Sequence, residues 1–151
     1  MTTTQGHPVI VPSVLRDVLS STTLANLEWT NWAQPDRAGS EIHTLFTEEG
    51  HAGATAFLTR FAAGAHGDLH EHLGHELMLV LAGELLEDDG GRLTTGDLMI
   101  KEPGSIHRVR SVAGCTVLGI RTGPTRAVAP KVDTNSADLR GAGFAQTATG
   151  D

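Results

Sequence analysis

The sequence predicts an all-β fold of the sandwich or small-barrel type, on three observations. From residue 54 onward, apolar runs of five to ten residues alternate with turn signals rich in Gly, Pro and Asp. Long helical periodicity is scarce. "DDGG" at 88–91 separates two of the runs, as a hairpin turn does. The length of 151 residues suits one domain large enough to bury a core.

The elements follow in order. Val9–Val11 reads as a short edge strand, and Ser13 could cap a helical turn carrying Leu15, Val18 and Leu19. "LANLEWTNW" (24–32) supplies two tryptophans, and "AQPDRAGS" is a loop. "EIHTLFTEEG" is a strand ending in a turn. "ATAFLTRF" is a strand that "AAGAHGD" interrupts, and "LMLVLAGELLE" is a long strand. "RLTTGDLMIKE" reads as one strand. "PGS" turns into "IHRVRSV", and "GCTVLGIRT" closes the series. Residues 1–39 are expected to pack on a barrel formed by 40–124. Residues 125–151, poor in large apolar side chains, are expected to form an irregular or disordered tail.

Composition excludes several function classes. A formal charge of -7 offers no nucleic-acid footprint and no polybasic membrane patch. The single cysteine, Cys115, allows no internal disulfide and reads as a small buried hydrophobe. The N-terminus lacks signal-peptide features, and no apolar run reaches the ~20 residues of a membrane span. A cytoplasmic protein is the expectation.

Four of the eight histidines fall between residues 66 and 75. On a strand, His70 and His72 share one face at a separation of roughly 6.5–7 Å. "LGH" then reads as a turn that folds Glu76 back beside them. His107 opens a later strand after the "EPGS" turn. Three imidazoles and a carboxylate suit Zn, Fe, Mn, Ni or Cu. Glu71 is expected on the opposite face. His75 lies in the turn, either exposed or at a barrel mouth as an acid or base. "EEG" and "LEDDGG" read as solvated acidic turns.

These spacings resemble the cupin superfamily. Its first motif runs G, five residues, H-x-H, three or four residues, E, six residues, G. Here Gly64, His70, His72, Glu76 and Gly83 fill every fixed position. The second runs G, five residues, P-x-G, two residues, H, three residues, N. Gly96, Gly104 and His107 match, while Glu102 replaces the proline and Ser111 the asparagine. Neither departure touches a ligand position. The segments around both motifs look most like the ChrR-type cupin group. That group includes the cupin half of zinc-binding anti-sigma factors and small iron dioxygenases that cleave diketones and hydroxyacetophenones.

The resemblance implies a cupin-type jelly-roll β-barrel holding one divalent transition metal through His70, His72, Glu76 and His107, with Fe(II) favoured. Glu76, as a ligand or base, and His75 are the candidate catalytic groups. Met78, Val80, Val109, Ser111, Phe57 and Arg60 are the candidate pocket residues, and Arg121 is a further candidate for holding a carboxylate. Trp29, Trp32, Phe57 and Phe61 are expected in the core or at a dimer interface, with a substrate wall as the alternative. The expected partners are a small-molecule substrate and a second copy of the chain. The favoured activity is oxygenation of a small enolisable or phenolic compound. A zinc-dependent cyclase or isomerase and a non-catalytic sensor are the alternatives. Residues 1–40 are too short to supply the helical domain by which such a sensor would grip a sigma factor.

Overall fold

The computed structural model describes residues 13–50 and 53–129. The fold is a cupin-type jelly-roll barrel of eleven short to medium strands, with one short helix among the described residues. Helix α1 spans Ser21–Ala25. The strands are β1 (Thr30–Asn31), β2 (Ala38–Thr47), β3 (Thr55–His66), β4 (His70–His72), β5 (Glu76–Glu87) and β6 (Arg92–Thr94). They continue with β7 (Leu98–Lys101), β8 (Ile106–His107), β9 (Val109–Arg110), β10 (Cys115–Arg121) and β11 (Thr125–Ala127).

The larger sheet runs β1-β2-β3-β10-β5-β6, and β7 also pairs with β5. Strand β9 pairs with both β3 and β5, which closes a ring through β10. A second sheet, β11-β4-β8, lies on the ligand side. All the pairings are antiparallel. The barrel interior holds Phe61, Ala65, Met78, Val80, Leu85, Val109, Cys115 and Val117. A second cluster sits where α1 covers the sheet, with Leu24 against Leu58 and Leu81 and Trp29 alongside. Burying each of the Phe, Met, Leu and Val side chains among them contributes about 2 kcal/mol.

One irregularity in β5 decides which residues face inward. The pairing with β10 runs Val117↔Val80, then Thr116↔Ala82, so Leu81 is an extra residue. Side chains alternate with period two, and a one-residue bulge shifts that phase. Before the bulge, Glu76, Met78 and Val80 are buried; after it, Leu85 and Glu87 are. Glu76 and Glu87 are eleven residues apart and would face opposite ways on a regular strand. The bulge turns both inward and sends Leu81 to the α1 cluster.

Several expectations need correction. The helical turn lies at Ser21–Ala25, behind Ser20, rather than after Ser13. Residues 62–66 do not interrupt their strand, because β3 carries the pairing through to His66 with a register shift opposite Gly39. "RLTTGDLMIKE" is two strands, split where Asp97 caps a turn by accepting from the Thr94 N–H at 2.8 Å. "IHRVR" also divides: β8 joins the small sheet and β9 the large one. Thr125–Ala127, expected within the irregular segment, is a strand that pairs with the ligand strand β4. Val9–Val11 and residues 130–151 lie outside the described residues. Among the described residues, no helix is long and apolar enough to cross a membrane.

Candidate metal centre

Strand register assembles the site. His70 on β4 stands directly opposite His107 on β8, which puts both imidazoles on one side of the small sheet. His72, two residues on, shares the face of His70. Its N–H and C=O are taken by Ser105 and Gly104 of the turn before β8, at 2.9 and 2.7 Å. Glu76 opens β5 opposite Arg121 of β10. The nearest donor atoms of His70, His72, Glu76 and His107 all lie within 4.8 Å of one another, and all four residues are buried.

The hydrogen bonds around the cluster leave its donor atoms bare. His70 Nδ1 lies 2.9 Å from the Asp68 carbonyl oxygen, which accepts only from an Nδ1–H. His70 Nε2 is therefore an unprotonated lone pair, buried and without a partner among the described residues. His107 Nδ1 sits 2.9 Å from Glu87 Oε1, and Glu87 Oε2 takes the Lys101 ammonium at 2.7 Å. Glu76 Oε1 accepts from Arg121 Nε at 2.6 Å, while its Oε2 lacks a well-aligned donor. His72 Nε2 and His107 Nε2 face each other at 2.9 Å, and His72 Nε2 is 3.1 Å from Glu76 Oε2. Lone pairs this close and this dry need a shared proton or a shared cation. Three imidazoles and a carboxylate are the donor set of a transition ion. Their donor atoms are close enough together to share one ion. The residues fit a metal.

Charge follows the same geometry. Burial raises the Glu76 pKa, but the close His107 and His72 rings and the Arg121 charge outweigh it and hold the carboxyl well below its usual range. Burial likewise lowers the His107 pKa, and Glu76 and Glu87 together reverse that to a net rise. His70 is pulled from 6.5 to about 4, first by burial and then by the Arg121 and His107 charges. Between those two values the unfolded chain binds more protons than the folded one at this group. The metal-free fold should therefore lose stability as pH falls from 6.5 to 4, by about 3 kcal/mol from His70. The His107 contribution is fully present below 6.5 and is lost only above it, so the two act in different windows. Thermal unfolding of metal-stripped wild type and His70→Gln across this range checks the effect. The variant should lose that part of the pH dependence.

The walls of the cavity are Trp32, Arg37, Phe57, Thr59, Phe61, Met78, Val109 and Arg121. Of the expected pocket residues, Phe57, Met78 and Val109 are there. Val80 is buried one step further along β5, in the core rather than the cavity wall. Ser111 is buried but turned to the backbone, donating to the Glu84 carbonyl at 2.6 Å. Arg60 lies on the outer face of β3, paired with Glu41 and stacked over Trp29. His75 is half exposed and meets Glu102 at 3.0 Å, outside the cavity. Glu71 faces away from the ligands and pairs with Arg126. Trp32 is a wall of the site rather than core packing. Cys115 is buried, and burial pushes its thiol up to about 11.

Glu87 is the largest correction. It belongs to the "LEDDGG" segment that reads as a solvated turn, yet it is 5% exposed and orients His107. Outer partners of metal-binding histidines fix tautomer and ring angle, and losing one costs 10–100-fold in affinity. Glu87→Gln is expected to weaken metal binding by about that factor, read by competition with a chelator.

A closed antiparallel barrel with inward histidines on two adjacent strands and a glutamate beside them defines a metal-competent cupin. The family model of the ChrR cupin-like domain matches residues 19–125, and the chain belongs to that family. No curated protein matches the chain. Among solved structures it is similar to the anti-sigma factor ChrR, in complex with SigE, from Rhodobacter sphaeroides. Identity there is 25% and the TM-score 0.55, over 65% of this chain and 50% of that one. The chain thus spans about half the length of that relative. An acetylacetone dioxygenase from Acinetobacter johnsonii superposes at TM-score 0.64 with 12% identity, over 89% of this chain and 86% of that one. The polyketide cyclase RemF from Streptomyces resistomycificus gives 0.58 with 16% identity, over 72% and 84%. At such identities the last two likenesses concern the fold alone.

Proposed function

We propose that this chain is a metal-dependent cupin enzyme, a mononuclear non-haem Fe(II) dioxygenase acting on a small enolisable or phenolic substrate. The observation that carries the reading is the convergence of three imidazole nitrogens and one carboxylate oxygen on a single dry point, under aromatic and aliphatic walls. Likeness in fold to a dioxygenase supports it only as analogy.

His70, His72, His107 and Glu76 would hold the ion. Bound there, a divalent transition metal supplies Lewis acidity and, as Fe(II), a route to dioxygen. The chain's own residues set the conditions. The Asp68 carbonyl and Glu87 fix His70 and His107 with Nε2 inward. Arg121 Nε holds Glu76 Oε1 at 2.6 Å and leaves Oε2 facing the histidines. Phe57, Phe61, Met78 and Val109 exclude water from the reacting face, which strengthens every charge interaction within it.

Anaerobic purification followed by metal analysis and oxygen-electrode assays on a panel of diketones and catechols tests the proposal. One Fe per chain with substrate-dependent oxygen uptake is the expected result. Tight Zn with no uptake on any panel member contradicts the oxygenase and leaves Lewis-acid cyclisation or isomerisation, or a sensing role.

A further inference from the structure

The cavity carries more cationic groups than a neutral substrate would use. Arg37 enters it from the segment between β1 and β2. Its side chain is 3% exposed and lies 3.8 Å over the Trp32 ring. One terminal nitrogen meets Asp68 Oδ1 at 2.8 Å and the other reaches Ser40 Oγ at 3.4 Å. Its Nε is buried with no partner among the described residues. A guanidinium this dry costs stability unless its donors are used. On the other side, Arg121 is spent on Glu76 and lies over the Phe57 ring.

The formal charges around the cavity cancel before any metal arrives. Glu76 offsets Arg121 and Asp68 offsets Arg37. Behind His107, Glu87 offsets Lys101. A dication held by neutral imidazoles and Glu76 would leave two positive charges uncompensated in a buried site. The local charge balance then calls for an anion.

We propose, on the metal-site reading above, that the site is built for an anionic substrate. It would be a small organic anion with one chelating oxygen for the ion and a carboxylate or enolate oxygen for Arg37. Trp32 and Phe57, edge to face with centroids 5.2 Å apart, flank its carbon skeleton. Arg37 is thus an anion-anchoring residue, and its planar fork and aromatic stack are not reproduced by lysine. The cavity offers only about 10 Å³ of free space, so an anion of this size enters only with a shift of its wall side chains.

The test uses the full chain loaded with Co(II), whose visible absorption reports ligand exchange. Pyruvate is the anionic probe and imidazole the neutral one. Arg37→Gln should weaken pyruvate binding at least tenfold and change imidazole affinity less than twofold. Arg37→Lys should recover part of the pyruvate affinity. Unchanged pyruvate affinity in Arg37→Gln overturns the proposal, as does an equal loss for both probes, which would mark a structural role. Should Arg37→Gln fail to fold, Arg37→Lys carries the comparison. A threefold or greater loss for pyruvate alone then supports the proposal, and no selective loss overturns it. Failure of the wild type to take up Co(II) is a separate outcome that defeats the metal reading itself.

Discussion

Replacing His72 with alanine is expected to abolish stoichiometric metal binding while leaving a folded barrel. His72 is 1% exposed, and its Nε2 lies within 3.1 Å of both His107 Nε2 and Glu76 Oε2. Removing it deletes one of four donors and opens a gap through which water can reach the rest. Loss of an outer-sphere partner alone costs 10–100-fold, so loss of a donor should exceed about 100-fold. The backbone around His72 is held independently, by Ser105 and Gly104 across the turn. Metal-free His72→Ala should therefore unfold close to metal-free wild type, because relieving three crowded imidazoles offsets part of the lost packing. Metal content after dialysis against a chelator, read beside circular dichroism, gives both quantities. A variant that retains metal as tightly as the parent would remove His72 from the ligand set.

The second large effect is expected at Gly83, where alanine should destabilise the fold by more than about 3 kcal/mol. Gly83 sits just past the β5 bulge at φ +81°, a conformation that L side chains rarely adopt. A Cβ there would stand 2.3 Å from the Gly114 carbonyl oxygen and 2.9 Å from the Cys115 Cα. Both neighbours are backbone of the adjoining segment, so relief must come from separating β5 and β10. That contact sets the phase of β5 beyond Leu81, and with it the inward aim of Glu87. Gly83→Ala should thus lose stability and metal affinity together, whereas His72→Ala loses affinity alone. Chemical denaturation midpoints and chelator competition on the same samples separate the two behaviours.

The four proposed ligands are legible in the sequence because three are close in the chain and the fourth follows its own turn motif. His70, His72 and Glu76 need only a strand, a turn and a second strand. What the sequence conceals depends on register between distant strands. Arg121 meets Glu76 because those two residues are cross-strand partners 45 positions apart. Arg37 and Trp32 come from a loop whose composition resembles any surface connection. Glu87 is hidden by the bulge: strict alternation from Glu76 places it outward, and its acidic neighbours reinforce a solvent reading. The run from Leu77 to Ala82 is apolar throughout, so no break in alternation marks the bulge at Leu81. His75 misleads for the opposite reason. It is adjacent in sequence to the ligands, but the turn directs it to Glu102 at the surface. Ser111 and Arg60 lie outside the pocket because alternation along a strand does not reveal which way the sheet turns its outer face.

The proposed centre requires one ion lying between His70, His72, Glu76 and His107. Anomalous diffraction from crystals of the metal-loaded protein, collected at the absorption edge of the bound metal, locates that ion directly. The predicted result is one peak per chain, about 2 Å from the Nε2 atoms of His70, His72 and His107 and from Glu76 Oε2. No peak after loading, or a peak held by exposed groups such as His75 and Glu102, would contradict it.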